Sequence, residues 1–211
     1  MPAEYLTIHP VNPEPGKIAK VASVLRDGGL VIYPTDTVYG MGCDIHNKRA
    51  VETLCKVNNL NPRKINLSFV CYDLSHISEY TRNISTQVFK AMKKCLPGPY
   101  TFILNANNKV PDLLHLHTRK NTVGIRVPDN TIAREIVRAL EHPILNCSIK
   151  DEDEIVQYTT DPEEIYRQYK HKVDLIIDGG TGGNIPSSVL DCTGSSIIVV
   201  REGLGNVEEW L

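Results

Sequence analysis

The chain has 211 residues, of which 41% are hydrophobic and 23% are charged, and its formal net charge is −2 with a pI near 6.4. These values fit a globular protein with one sizeable core, and they exclude a uniformly basic coat for nucleic acid, although not a local basic face. No apolar run approaches the ~18 residues of a membrane span, and residues 1–10 have no signal-peptide pattern, so we expect a cytoplasmic protein without membrane contact.

Strand and helix patterns alternate along the whole chain. The predicted strands cover residues 5–9, 30–32, 41–44, 67–71, 100–104, 122–127, 143–147, 173–177, 187–191 and 197–200. The predicted helices lie at 14–27, after Asn47, at 74–80 behind Asp73, at 86–95 behind Ser85, at 110–116, at 132–140 and after Asp161. No repeat and no Pro/Gly/Ser-rich linker interrupts this order. The pattern predicts one α/β domain over residues 1–211 with a mixed sheet and flanking helices.

The segment Tyr33–Gly40, with the sequence YPTDTVYG, follows the buried strand at 30–32. Pro34 removes an amide donor and weakens the ladder, and polar side chains follow at once. Folds of alternating strands and helices usually place their ligands at such strand ends. Two interpretations therefore stay open at this point: a wall of a ligand site, or a polar turn closed by its own hydrogen bonds.

Arg126 lies in an otherwise apolar predicted strand with the sequence VGIRV. A buried guanidinium demands partners, and its fork geometry suits a carboxylate or a phosphate. Arg126 is thus either a ligand-binding residue or one half of an internal ion pair with an aspartate such as Asp129 or Asp191.

The glycine-rich segment 179–183 invites comparison with a phosphate-binding loop, but it lacks the G-K-[ST] ending, and Pro186 disfavours a helix start after it. A tight turn beside a pocket is the better interpretation. The six cysteines include no C-x-x-C pair, so they are expected to be core residues, and no metal site is predicted.

Charges are unevenly spread along the chain. Residues 48–64 hold five basic residues and one acid, and residues 82–94 hold four basic residues and no acid. Such segments attract polyanions, although they are more often solvated faces. Residues 151–164 hold seven acids and no base, which indicates an acidic loop and a helix start, with Mg²⁺ binding as a minority option.

Six ordered motifs resemble those of the YrdC family, and within it they are most similar to the YciO branch. The resemblance covers roughly residues 15–205. The motifs are Tyr33–Gly40, Pro97–Thr101, Thr122–Pro128, Asp174–Gly180, Ser187–Asp191 and Arg201–Gly203. It implies a twisted α/β sheet around a deep, positively charged concave cavity.

The resemblance also implies an activity, in which L-threonine, bicarbonate and ATP give L-threonylcarbamoyl-AMP and pyrophosphate, the first step toward the t6A modification of tRNA. Mg²⁺ is expected with ATP as substrate, and no tightly bound cofactor is expected. No catalytic side chain is assigned. The family is also described as binding double-stranded RNA, so a YciO-type RNA-binding or tRNA-binding protein with weak or no synthase activity is the alternative.

Site residues follow from the same resemblance, position by position. Arg126 would take the carboxylate of threonine. The other residues implied for the threonine pocket are Thr35, Tyr39 and Ser188. Those implied for the nucleotide are Lys56, Ser148, Lys150 and Arg201.

Two positions depart from the family pattern. The arginine of the family's K-x-R pair is Asn58 here, and the asparagine of its S-x-N pair is Lys150, followed by the acids at 151–154. We hypothesise a charge exchange in which Lys150 restores the cation that Asn58 lacks. An ATP-dependent assay on Lys150→Ala addresses it, because unchanged turnover would contradict the exchange.

Overall fold

Ten strands form one mixed sheet in the computed structural model, which describes residues 1–58, 67–75, 77–110, 121–149 and 158–210. The strands are β1 (Glu4–Thr7), β2 (Val31–Tyr33), β3 (Gly40–Asp44), β4 (Ser68–Val70), β5 (Tyr100–Asn105), β6 (Thr122–Arg126), β7 (Ile144–Ser148), β8 (Leu175–Asp178), β9 (Ser188–Asp191) and β10 (Ile198–Arg201). Their order in the sheet is β1-β8-β2-β3-β7-β4-β6-β5-β9-β10. Parallel and antiparallel neighbours are interspersed, so the predicted mixed sheet is confirmed.

The described helices are α1 (Pro15–Arg26), α2 (Lys48–Val57), α3 (Ile77–Tyr80), α4 (Thr86–Cys95), α5 (Thr131–Leu140) and α6 (Pro162–Tyr169). The side chains of Asn47, Ser85 and Asp161 accept hydrogen bonds from the first turns of α2, α4 and α6, as their positions predict. The prediction of a helix over 74–80 behind Asp73 was too long, because Asp73 accepts from the amide of Ser75 in a local turn instead. Most of the helix predicted at 110–116 lies outside the described residues.

The two faces of the sheet are covered differently. Alternate strand residues such as Phe69, Phe102 and Ile125 face one apolar cluster, which α2, α3, α4 and α6 cover. On the opposite face, α1 and α5 pack against Val31, Leu175 and the other core residues of one half of the sheet. The remaining half of this second face carries a mixture of polar and apolar side chains and belongs to neither apolar cluster. The period of two along each strand thus separates a core face from a partly open face.

The glycine-rich segment 179–183 packs against the 33–40 turn. The Tyr39 hydroxyl donates to the carbonyl of Gly180 at 2.7 Å and accepts from the amide of Gly179 at 3.3 Å. A Cβ placed on Gly183 would lie 2.2 Å from the carbonyl oxygen of Thr37. Because β9 follows this segment and no helix does in the described residues 184–187, the segment is a close-packed turn and not a phosphate loop.

None of the described helices is long and apolar enough to cross a membrane.

We expect Gly183→Ala to lower the free energy of unfolding by about 1–3 kcal/mol, because the added methyl group meets backbone atoms that have no room to move aside. Urea denaturation measures the loss. Gly194→Ala is the matched control, since a Cβ there meets nothing within 4 Å. Equal destabilisation of the two variants would contradict the close packing of this segment.

Candidate ligand-binding cavity

A cavity of about 390 Å³ opens on the half of the sheet that α1 and α5 leave uncovered. Strands β4, β5, β6, β7, β9 and β10 all contribute to its wall. The described lining residues are Leu67, Ser68, Thr101, Ile103, Thr122, Gly124, Arg126, Asn146, Cys147, Ser148, Ser187, Val189, Val200 and Arg201. Hydroxyl groups, one amide and two guanidinium groups dominate this lining, and it includes no carboxylate among the described residues.

Strand register places the two arginines at opposite ends of one row. Arg126 on β6 neighbours Thr101 on β5, which pairs with Val189 on β9, which in turn pairs with Arg201 on β10. Three strand spacings of about 4.8 Å put the two Cα atoms roughly 14 Å apart. The cavity can therefore present one guanidinium to each end of an elongated ligand.

Arg201 reaches the cavity through an irregularity in β10. The pairing with β9 shifts between Val199 and Arg201, so two consecutive residues, Val200 and Arg201, both line the cavity. A bulge of this kind re-aims a side chain at a sheet edge. The guanidinium donates to the Ser187 carbonyl oxygen from Nε at 3.1 Å and from Nη2 at 2.7 Å, which fixes its direction.

Arg126 is held by the 33–40 turn. Its Nη2 donates to Asp36 Oδ1 at 2.8 Å and to Thr37 Oγ1 at 3.0 Å, and the side chains of Arg126 and Asp36 are only 4% and 8% exposed. The other oxygen of Asp36 accepts from the backbone amide of Asp129 at 3.1 Å. Arg126 is thus part of an internal ion pair with an aspartate, but the partner is neither of the two examples, Asp129 and Asp191, because β6 ends beside the turn and brings Asp36 closer.

The Arg126 guanidinium is buried, and one of its hydrogen-bond donors has no partner among the described residues. Burial lowers the pKa of its guanidinium, Asp36 opposes that shift, and the positive charge of Arg201 adds to it. Arg126 Nε is buried without a hydrogen-bond partner in the described part of the chain. An unpaired buried donor is expensive, and the side chain that carries it also lines the cavity. This end of the cavity is suited to an anionic group.

The structure places Thr35 and Tyr39 behind the cavity wall. Thr35 Oγ1 donates to the carbonyl of Val38 at 2.7 Å and accepts from the amide of Thr37 at 3.1 Å. The Tyr39 side chain is fully buried on segment 179–183. Neither residue is among the cavity-lining residues. The hydroxyls of the turn close it internally, and its Asp36 and Thr37 orient a lining arginine.

The expectation that Ser188 lines the cavity needs a correction. The Ser188 hydroxyl is fully buried, donates to the Gly205 carbonyl at 2.6 Å and accepts from the Gly203 amide at 2.9 Å. Because strand side chains alternate, Ser187 and not Ser188 shares the cavity face with Val189. Ser187 also lies 2.9 Å from Thr101, measured between their hydroxyl oxygens.

The residues expected at the nucleotide are only partly brought together. Ser148 and Arg201 line the cavity, whereas Lys56 is exposed on α2, which packs on the opposite face of the sheet. Asn58 donates to the carbonyl of Leu54 and contacts the Met41 sulfur. Lys150 and the acids at 151–154 lie outside the described residues, so the charge exchange stays a prediction.

Several lining residues have no counterpart among the sequence predictions. They are the neutral polar residues Ser68, Thr101, Thr122, Asn146 and Ser187. Each lies on a strand or at its start, on the same face of the sheet as Arg126. The alternation of polar and apolar residues along a strand indicates that polar side chains share one face, but only the pairing register shows which face is uncovered.

No group of three His, Cys, Asp or Glu side chains in the described ranges could hold a metal ion. The six cysteines are free and buried, as predicted. Cys147 reaches the cavity wall, and burial raises the pKa of its thiol to about 12, so it remains protonated near neutrality.

Comparison with known proteins identifies the family. A model for Sua5/YciO/YrdC proteins, described as "Telomere recombination", matches residues 23–203, and the chain belongs to this family. The uncharacterized protein YciO of Escherichia coli K12 is 40% identical, with coverage of 99% of this chain and 100% of the relative. An uncharacterized protein of Haemophilus influenzae is 39% identical with the same coverage, and a putative threonylcarbamoyl-AMP synthase of Methanocaldococcus jannaschii is 33% identical, covering 95% and 93%.

Solved structures confirm the mixed α/β fold. The crystal structure of E. coli YciO superposes with a TM-score of 0.91 at 38% identity, covering 99% of this chain and 100% of that one. P. abyssi Sua5 complexed with L-threonine gives a TM-score of 0.85 at 25% identity, covering 97% of this chain and 59% of Sua5. The predicted kinship to the YciO branch is thereby confirmed.

We expect Asp36→Asn to lower the free energy of unfolding by about 3–5 kcal/mol, because it leaves the buried Arg126 charge without its counter-ion. Chemical denaturation measures this loss. Asp129→Asn is the control, since the exposed Asp129 contributes only its backbone amide to the network. A loss no larger than that of the control would show that the ion pair is not needed to keep Arg126 buried.

Proposed function

We propose that this protein is a threonylcarbamoyl-AMP synthase-type nucleotidyltransferase, which uses L-threonine, bicarbonate and ATP in the pathway to t6A in tRNA. Two findings about relatives support the proposal. The M. jannaschii relative is named a putative threonylcarbamoyl-AMP synthase, and P. abyssi Sua5 has been crystallised with L-threonine. The E. coli and H. influenzae relatives carry no named activity.

The observation that carries the proposal is the state of Arg126. Asp36 and Thr37 fix one end of its guanidinium, while Nε is buried without a partner beside the cavity. A ligand carboxylate on the cavity side would supply a second negative charge for this guanidinium, beside that of Asp36. In the proposed reaction, that carboxylate belongs to threonine.

The opposite end of the row suits the nucleotide. Arg201 is oriented by the Ser187 carbonyl, and Ser148 lies on the same wall. Joining a carbamoyl group to the α-phosphate and releasing pyrophosphate builds negative charge on phosphate oxygens, which placed cations and hydrogen-bond donors stabilise. Mg²⁺ would enter with the phosphates of ATP, since the described lining offers no carboxylate to hold it.

Calorimetric titration of the wild-type protein with L-threonine, and separately with ATP and Mg²⁺, tests the proposal. We expect Arg126→Lys to weaken threonine binding at least about tenfold, because lysine loses the planar fork. Arg201→Ala should weaken ATP binding and leave threonine binding unchanged. Arg138→Lys is the control, because this arginine is exposed and paired with Glu135 on α5, away from the cavity.

Pyrophosphate release that depends on threonine and bicarbonate is the measurement of turnover. If the protein binds threonine but does not bind ATP, the proposed synthase lacks its second substrate and the synthase activity is contradicted. Binding of neither would contradict the proposed function.

Binding to duplex RNA or tRNA is the second candidate, and the exposed faces of α2 and α4 favour it. Both helices cover the sheet face opposite the cavity, and both expose basic side chains. These are Lys48, Arg49 and Lys56 on α2, and Lys90, Lys93 and Lys94 on α4. A basic surface away from the substrate cavity could bind an RNA phosphate backbone without blocking a small-molecule reaction.

We expect the double variant Lys90→Glu/Lys93→Glu to reduce the salt dependence of RNA binding, lowering the slope of log Kd against log salt by about 2. Fluorescence anisotropy with labelled duplex RNA gives this slope. Lys17→Glu/Lys20→Glu makes the same change in net charge on α1, across the sheet. Equal effects of the two variants would show that only net charge matters and that α4 is no binding surface.

A further inference from the structure

Tyr33 and Asn146 form a buried hydrogen bond that spans a whole strand. Tyr33 is the last residue of β2, Asn146 is in the middle of β7, and β3 lies between these strands in the sheet. The Tyr33 hydroxyl donates to Asn146 Oδ1 at 2.7 Å. The tyrosine ring therefore extends across β3 on the same face that carries the cavity.

Two glycines of β3 make room for this crossing. A Cβ on Gly42 would lie 2.9 Å from Tyr33 Cε1, and a Cβ on Gly40 would lie 2.2 Å from Asn146 Oδ1. Glycine weakens a strand interior, and it is found where another group must come close. Strand β3 therefore accommodates the pair at some cost to its own stability.

The hydrogen bond determines which end of the Asn146 amide remains free. Oδ1 is occupied by Tyr33, and Nδ2 donates to no residue in the described part of the chain. Asn146 is only 2% exposed, yet it lines the cavity. Arg126 Nε is the one side-chain nitrogen or oxygen among the described residues that is both shielded from solvent and without a hydrogen-bond partner. Asn146 Nδ2 is not enclosed in this way, so it keeps contact with the cavity as a donor without a partner among the described residues.

The neighbours of Asn146 indicate what this donor would meet. Ser68 pairs directly with Asn146, and Gly124 pairs with Ser68 on its other side. Arg126 lies two residues beyond Gly124 on the same strand, so its side chain is on the same face. A neutral amide, a hydroxyl and a fork-shaped cation thus surround a position where Gly124 has no side chain. The N–H groups of the amide and of the guanidinium, together with the hydroxyl, suit a planar monoanion.

We propose that Asn146 is a ligand-binding residue for a planar carbon oxyanion, the chemistry shared by a carboxylate and bicarbonate, and that Tyr33 is its positioning residue. The inference rests on the proposed function only for the identity of the oxyanion, either the threonine carboxylate or bicarbonate. A neutral donor fits here because it adds no positive charge, whereas a further cation at this position would repel Arg126 and Arg201. With Oδ1 accepting from the Tyr33 hydroxyl, the amide presents Nδ2 to the anion.

The alternative role for the pair is structural, with Asn146 serving only to satisfy a buried tyrosine hydroxyl. Burial raises the pKa of Tyr33, so its hydroxyl stays protonated and needs an acceptor. Stability measurements alone do not separate the two roles, because both require the hydrogen bond. Ligand affinity separates them.

The test measures binding of acetate, ¹³C-bicarbonate and L-threonine to the full chain by NMR titration, at a temperature well below the Tm of every variant. We expect Asn146→Ala to weaken oxyanion binding about tenfold and Tyr33→Phe about threefold, as for loss of one hydrogen bond and of its orientation. Asn146→Asp should abolish binding through charge repulsion. Tyr80→Phe is the matched control, since Tyr80 is a buried tyrosine in the apolar cluster on the other face of the sheet.

A loss confined to bicarbonate would assign the position to bicarbonate, and a loss for acetate and threonine would assign it to the threonine carboxylate. Oxyanion binding that depends on Asn146 without pyrophosphate release would support the inference while the proposed function fails. Wild-type affinity in Asn146→Ala and Tyr33→Phe, with only a lowered Tm, would overturn the inference even in an active synthase. Absence of binding of acetate, bicarbonate and L-threonine to the wild type would overturn it as well.

Discussion

The buried ion pair between Arg126 and Asp36 joins the two parts of the molecule on which the cavity depends. Asp36 comes from the turn after β2, Arg126 ends β6, and the Asp129 amide closes the network from the segment that follows β6. A buried pair of this kind contributes little net stability, but removing one partner is costly. The pair therefore fixes the position of the turn relative to β6, and with it the direction of the guanidinium that faces the ligand site.

The rest of the site follows from an unequal covering of the sheet. One face is covered by α2, α3, α4 and α6, so most of its strand residues are apolar. On the other face, α1 and α5 cover one half, and the uncovered half carries hydroxyls, an amide and two arginines among a few apolar side chains. A cavity built this way needs no loop of its own for a floor, because the pleat of six strands supplies it.

The sequence-based predictions succeeded where the signal is local. Strand positions, the caps at Asn47, Ser85 and Asp161, and the family were predictable, because periodicity, cap chemistry and ordered motifs depend on neighbouring residues. They failed where distant residues meet. Asp36 lies 90 positions from Arg126 and replaced the nearer Asp129 as partner, and Ser187 replaced Ser188 on the cavity face because register, not residue type, decides which serine faces inward.

The amino-acid sequence by itself determined the alternation of strands and helices, the apolar stripes that become the two cores, and the membership in the Sua5/YciO/YrdC family. Only the tertiary structure decided which strand faces stay uncovered, which aspartate pairs with Arg126, and that Tyr33 reaches across β3 to Asn146. The physical reason is that these contacts depend on strand order, in which β7 and β8 insert between earlier strands. Local propensity carries no information about that order.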